Sequence, residues 1–389
     1  MARRTATYYI IAIIIIFQAI NMCVLYLGAK FNTASSNHSQ EKVHLLILST
    51  WRSGSSLVGQ CFSQHPDVFY LKEPSWHVWR TMFQNYVHVL HMSVRDLIRS
   101  IFRCDMFVFD VYMPSKTVSD LFHWASSRAL CSPPSCSSFS RTEIVDETVC
   151  KKACGQSPFQ KVEDTCNTYS HIVVQEYRIF DLTVLYSLLK DPSINLKILH
   201  VVRDPRAIAK SRRDVRLALN FDNKMILKGE KSQKDDLNVL RKICKSQAEI
   251  YTAASSLELP FLQGRYMLLR YEDLVRNPLK KIKEIYSFAY LELPKNLKPW
   301  IYKMTRGPSL KKMKPFNITP RNALKVSQAW RKGLSFEMVK KVQAVCRDAI
   351  DIFRYKLVDS TKELRDLTID TMLPRLREDF IWLSENKKE

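Results

Sequence analysis

The sequence predicts an α/β fold: a mainly parallel sheet, P-loop-like in its opening turn, with helices on both faces and an N-terminal transmembrane helix before it. Three observations predict it. Short apolar runs at 43–48, 68–71, 171–174, 197–202 and 266–269 alternate with stretches of helical periodicity, the pattern of strands joined by crossover helices. Two of those runs, VHLLIL and KILHVV, lead into small or polar residues and then a helix start. Residues 8–27 form a nearly unbroken apolar run, and about 20 such residues cross a bilayer as a helix.

Arg3 and Arg4 precede that run on a short leader. The positive-inside rule therefore keeps residues 1–7 cytosolic and sends the chain after residue 27 across the membrane. The run is longer than the apolar core of a cleaved signal peptide and has no clear A-x-A-like site, so it reads as an uncleaved signal anchor. Residues 28–42 are polar and short, a luminal stem, and residues 43–389 form the luminal domain. Dimerisation through the stem or span is compatible with this layout.

Lys+Arg 60 against Asp+Glu 38 gives a net charge of +22. That excess calls for an anionic ligand, polymer or membrane surface, and a domain anchored beyond the membrane argues against nucleic acid. Of the ten cysteines, Cys23 lies in the span. Five of the others, Cys131, Cys136, Cys150, Cys154 and Cys166, crowd a Ser/Pro-rich segment that reads as a loop insertion at about 105–168. In an oxidising lumen they are read as disulfides whose pairing the sequence leaves open; a zinc site on Cys150 and Cys154 is the rival. An odd number beyond the span leaves one thiol over, and Cys61, on the apolar face of the first helix, is the choice. Asn37 and Asn317 head glycosylation sequons that fit a luminal domain.

The first strand, 43–48, runs into Ser49-Thr50-Trp51-Arg52-Ser53-Gly54-Ser55-Ser56, after which Leu57, Val58, Cys61 and Phe62 recur at the spacing of one buried helical face. A strand, a tight small-residue turn and a helix N-terminus make an anion site, because the first helical N–H groups point out unpaired. Arg52 adds a fork of donors and the serines add hydroxyls. An ordinary serine-rich turn is the alternative. A nucleotide triphosphatase loop is excluded, since Arg52 precedes the only glycine of the turn and no lysine follows it.

The second run closes at Lys72-Glu73-Pro74; a residue before proline is biased to extended backbone, so Glu73 ends a strand. Residues 76–104 have helical periodicity, 171–176 resume as a strand, and 181–189 read as a helix. After the strand at 197–202, Asp204 is a good N-cap and Pro205 a good first helical residue. Ser211 lies two turns along on the face of Asp204, so Arg203 and Ser211 can reach one phosphate. Residues 222–236 are charged and read as a mobile loop, 237–257 as a helix, and 266–269 as the last strand. Ligands of such sheets bind beyond the carboxyl ends of the strands, which puts Arg52 and Glu73 in one cleft.

WRSGSS after the first strand and VRDPRAIAKSR after a later one resemble the 5′-phosphosulfate and 3′-phosphate loops of sulfotransferases that use 3′-phosphoadenosine 5′-phosphosulfate (PAPS). The resemblance extends through SGSSLVGQCFSQHPDVFYLKEPSWHVW, SRALCSPPSC, RYEDL and RNALKVSQAWR. The chain resembles the Golgi galactose/N-acetylglucosamine 6-O-sulfotransferase family, and RDLTIDTMLPR near its end is similar to the intestinal and corneal members.

The resemblance implies a sulfotransferase fold, a single-pass type II protein of the Golgi membrane, and PAPS as co-substrate with no metal. The acceptors it implies are glycan chains of glycoproteins or proteoglycans, sulfated on the 6-hydroxyl of N-acetylglucosamine in keratan-type or mucin-type chains. It implies that Trp51, Arg52, Ser53, Gly54, Ser55 and Ser56 hold the 5′-phosphosulfate, with Arg52 neutralising charge on the leaving phosphate. Arg203 and Ser211 would hold the 3′-phosphate. Glu73 is the implied general base, expected to be exposed and ionised, with His77 as a rival; Trp76, His77 and Trp330 are expected at the acceptor. Residues 308–320, PSLKKMKPFNITP, depart from the family's glycine-rich pattern, which weakens the transfer of acceptor preference. The lysines at 311–314 are either a grip on a sulfated glycan or a solvated loop. The alternatives are 6-O-sulfation of galactose or N-acetylgalactosamine, a catalytically silent membrane-tethered binder of acidic glycans, and a phosphotransferase, disfavoured by the missing Walker lysine.

Overall fold

The computed structural model describes residues 18–22, 42–113, 116–122, 125–230, 236–256, 258–308, 316 and 318–375. Residues 1–41 form one unit and 42–389 another; of the first, only a short piece of helix at 18–22 is described. The expected tail, most of the expected span and stem, Asn37, Asn317 and the lysines at 311–314 lie outside the described residues. Among the described residues no helix is long and apolar enough to cross a membrane.

The second unit is built on β1 (Val43–Leu48), α1 (Ser55–Ser63), β2 (Val68–Lys72), α2 (Trp76–Thr81), α3 (Val87–Phe102), β3 (His171–Glu176) and β4 (Asn195–Val202). There follow α4 (Pro205–Asp214), α5 (Asn220–Ile226), α6 (Asp236–Ala254), β5 (Tyr266–Arg270), α7 (Tyr271–Arg276), α8 (Ala323–Ser327) and α9 (Phe336–Val345). The five strands make one sheet in the order β2-β3-β1-β4-β5, and every pairing is parallel. All five expected strands are present, with the mainly parallel sheet realised as wholly parallel.

Both faces of β1 are buried, which explains its run without polar alternation. Leu46 and Leu48 pack with Leu90, Val94 and Leu97 of α3 on one face; Leu45 and Ile47 pack with Val58 and Phe62 of α1 on the other. Register aligns the functional ends. Leu48 stands opposite Glu176 and His200, so the segments leaving β1, β3 and β4 emerge along one edge of the sheet.

Two expectations need correction. The periodic stretch 76–104 is two helices, α2 and α3, because residues 82–86 break it. The charged segment 222–236 is helical at both ends: α5 covers Asn220–Ile226 and α6 starts at Asp236. Burial decides this over charge, since Asp222, Met225 and Ile226 are all buried. Residues 231–235 lie outside the described set.

The cysteine pairing left open by the sequence is Cys104–Cys166, Cys131–Cys150, Cys136–Cys154 and Cys244–Cys346. Cys104–Cys166 closes the base of the insertion and two further bridges cross it. The insertion is more ordered than a loop, with helices at Glu147–Cys154 and Lys161–Asn167. Cys150 and Cys154 are both taken up by disulfides, which removes the zinc alternative there. Cys61 is the free, buried cysteine among the described residues, and burial pushes its thiol pKa up.

Candidate active site

Each of the five strands delivers a residue from just past its carboxyl end to a single cleft: Arg52 after β1, Glu73 after β2, Tyr177 after β3, Arg203 after β4 and Tyr271 after β5. The cleft encloses about 940 Å³, including the part open to solvent. Its walls also carry Gly54, Ser56, Lys72, Ser211, Asp222, Phe316 and Arg321.

The turn after β1 is held by its own small residues. Ser49 Oγ donates to Val201 O at 2.6 Å, and Ser53 Oγ donates to Thr50 O at 2.8 Å. The chain reverses through two left-handed residues, Arg52 (φ 73°) and Gly54 (φ 86°). Gly54 is the N-cap of α1 and no side chain caps the helix; Leu57 N donates to Gly54 O, while the Ser55 and Ser56 amides are among those that a helix leaves without an intrahelical acceptor. Ser55 Oγ meets Tyr177 Oη at 3.1 Å, and Gln175 Nε2 donates to both Tyr177 Oη (2.6 Å) and Ser55 Oγ (3.2 Å). These contacts fix the helix end against β3.

The two loops expected to bind anions are joined. Arg52 Nε donates to Ser211 Oγ at 3.0 Å, and Arg203 Nη1 donates to the Arg52 carbonyl at 3.0 Å. As the sequence predicts, Asp204 caps α4 by accepting from Arg206 N, and Pro205 is its first residue. The Arg203 guanidinium lies 4.7 Å from the centre of the Tyr271 ring. Arg52 is 5.4 Å from the Phe316 ring centre. Burial, then the charges of Arg203 and Arg321, lower the pKa of Arg52. Three guanidinium groups that repel one another around an open cleft make a place where an anion relieves the strain.

Glu73 closes the other part of the site, and it corrects an expectation. It is 5% exposed, not solvent-facing. Its backbone is left-handed (φ 53°), held by a 2.7 Å bond from its N–H to Gln175 O. Oε2 accepts from Arg178 Nη1 at 3.0 Å. Burial raises its pKa to about 7, opposed by Arg178 and Lys72 and assisted by Glu176 and Asp222. The physical reason is local packing: Glu73 ends the edge strand β2 but turns in against the end of β3, where Arg178, itself bonded to Asp222, covers its carboxylate and water is lost.

Trp330 is a second correction. It is buried in a cluster with Ala207, Leu334, Val339, Val358 and Leu364, and Arg206 lies 4.3 Å from its ring centre. It is absent from the cleft walls and presents no face to a sugar. Trp330→Phe should therefore lower the melting temperature, costing about 1–3 kcal/mol, and leave the acceptor KM unchanged. A raised KM with unaltered melting would restore the sugar-binding assignment. Trp76 and His77, on α2, also stand outside the walls of this cleft. Their rings meet edge to face at 5.3 Å, and His77 Nε2 lies 3.2 Å from Asp120 O.

Sequence reasoning missed Lys72, Tyr177, Arg178, Asp222, Tyr271 and Arg321. The signal was present for four of them: Lys72, Tyr177, Arg178 and Tyr271 sit at or just past strand ends, as Arg52 and Glu73 do. Asp222 and Arg321 come from segments with no strand to mark them.

A family model for the sulfotransferase domain matches residues 42–361. Mouse carbohydrate sulfotransferase 5 is 50% identical over 355 residues, covering 90% of this chain and 90% of its own. Human carbohydrate sulfotransferase 6 is 47% identical over 379 residues, covering 96% of both. The sulfotransferase domain from the curacin biosynthetic pathway superposes with a TM-score of 0.43 at 16% identity, covering 79% of this chain and 98% of that one, too shallow a likeness to speak to function. The chain belongs to the sulfotransferase family, and within it to the carbohydrate sulfotransferases, and it is an enzyme of that kind. Among the described residues no cluster of His, Cys, Asp and Glu could hold a metal ion.

Proposed function

We propose that this chain transfers a sulfuryl group from PAPS to the 6-hydroxyl of N-acetylglucosamine in keratan-type or mucin-type glycans of glycoproteins or proteoglycans. The observation that carries the reading is one cleft holding Arg52, Arg203 and Ser211 together with Glu73. A donor with an anion at each end of an adenosine needs two cationic seats, and an acceptor hydroxyl needs a base beside the sulfur.

In this reading the 5′-phosphosulfate lies against the opening amides of α1 and Arg52, while Arg203, Ser211 and Arg321 take the 3′-phosphate. Glu73 removes the proton from the sugar 6-hydroxyl as that oxygen attacks sulfur in line. The bond from sulfur to the phosphate oxygen breaks, and Arg52 and the helix end stabilise the charge left on the phosphate. A base with a pKa of about 7 is half-ionised near neutral pH, where a general base works well. The preference for N-acetylglucosamine rests on the resemblance at residues 365–375.

The enzyme would work on the luminal side of the Golgi membrane as a single-pass type II protein. Four disulfides suit an oxidising compartment, and the apolar run at 8–27 suits the anchor. Radiolabelled PAPS offered with glycans ending in N-acetylglucosamine, galactose or N-acetylgalactosamine tests the assignment. Transfer to the first alone is expected. Transfer only to galactose or N-acetylgalactosamine would reject the acceptor, and failure to bind PAPS would reject the donor.

A further inference from the structure

Arg178 follows β3 and belongs to none of the loops described above as donor-binding. It is 0% exposed, with the ring centres of Trp51 and Trp79 at 5.4 and 5.3 Å from its guanidinium carbon. Its Nη1 donates to Glu73 Oε2 at 3.0 Å and its Nη2 donates to Asp222 Oδ1 at 3.0 Å. Glu73 and Asp222 both line the cleft. A third carboxylate, Glu176, is 3.4 Å from Nη1, but backbone amides already occupy it: Tyr177 N at 2.7 Å and Arg178 N at 3.1 Å on Oε1, and Ser75 N at 3.2 Å on Oε2. Arg178 Nε is buried with no acceptor. The polar contacts of its guanidinium are therefore made through the two outer arms, Nη1 and Nη2.

We propose that Arg178 is the positioning residue for the base: its two arms clamp Glu73 and Asp222, so one cation is divided between the two carboxylates that face the cleft. The clamp takes Glu73 Oε2 and leaves Oε1, which makes no hydrogen bond among the described residues, as the oxygen presented to the acceptor hydroxyl. Asp222 is the counterweight, drawing part of the cation's field away from Glu73. The inference rests on Glu73 being the base.

Other charges also face Glu73. Lys72 comes from its own strand, Glu176 and Tyr177 from the end of β3, and Tyr70 from within β2. Arg212 of α4 stands near Asp222. None of them touches Glu73 as Arg178 does, and none is shared with Asp222 through two hydrogen bonds.

The test is the pH profile of kcat/KM for sulfate transfer by the full chain. Asp222→Asn keeps an oxygen for Nη2 and removes the competing charge, so the acid limb should move to lower pH, by about one unit. Arg178→Lys keeps the charge but has no fork, so the limb should stay near its original position while kcat falls at least about tenfold. Arg178→Gln should move the limb to higher pH, and the first two variants carry the test if it fails to fold. A merely structural role would lower kcat or stability in all three without moving the limb in opposite directions. If Asp222→Asn leaves the limb in place or raises it, the divided clamp is wrong. If Glu73→Gln remains active, the base assignment fails first and takes the clamp with it.

Discussion

Glu73→Gln is expected to lower kcat by about 10²–10⁴-fold, the range that a positioned general base supplies, while affinity for the desulfated donor product is unchanged. Glutamine has the same shape and keeps an oxygen for Arg178 Nη1, so the 3.0 Å contact can persist. What it loses is the ability to take a proton. The native enzyme should be inactive with Glu73 protonated and gain activity as pH rises through about 7. Stability runs the other way. The folded protein holds this proton more tightly than the unfolded chain, where the carboxyl titrates near 4.5, so ionising Glu73 opposes folding as pH climbs from that value to about 7. The glutamine variant should lack that part of the slope in thermal unfolding. Calorimetry with the adenosine bisphosphate product, beside steady-state rates, checks both halves; a variant that loses product binding in step with rate would point to a damaged fold, not a missing base.

Gly54→Ala is expected to weaken donor binding by about 10- to 100-fold, or about 1.4–2.8 kcal/mol. Two effects act together. At φ 86° any side chain is strained, at about 1–2 kcal/mol. The added Cβ would lie 2.2, 2.5 and 2.8 Å from three carbons of the Tyr271 ring, and overpacking of this kind costs about 1–3 kcal/mol. Tyr271 cannot swing aside freely, because it is buried beneath Arg203. The loop must give instead, and the loop carries the amides that open α1. Titration of the product into the variant measures the loss directly. Wild-type affinity in Gly54→Ala would mean that the turn does not hold the donor's phosphosulfate end.

The sheet was legible because parallel strands buried on both faces leave unbroken apolar runs, and VHLLIL and KILHVV are such runs. The meeting of Arg52, Arg203 and Ser211 in one cleft was legible for a related reason: strand ends mark themselves, Arg52 and Arg203 follow one closely, and Ser211 lies two turns into the helix that Asp204 caps. Asp204 and Pro205 announced their helix by residue type alone. The environment of Glu73 was not legible. Its burial depends on Arg178, Asp222 and Glu176, which lie 105, 149 and 103 positions away along the chain, and no local pattern encodes that meeting. Trp330 misled for the same reason, since a tryptophan beside basic residues looks alike in sequence whether it stacks on a sugar or fills a core. Charge misled at 222–236, where burial of Met225 and Ile226 outweighed it.

The two residues assigned the chemistry, Arg52 and Glu73, are both non-glycine residues with left-handed backbone, at φ 73° and 53°. Such conformations cost of order 1–3 kcal/mol each and persist only where the surroundings impose them. A chain selected for durability alone would place glycine or asparagine at these two positions and relax. Activity and robustness therefore pull against each other at the level of single main-chain torsions, and screens for thermostable variants of this enzyme would drift toward inert ones at these positions first.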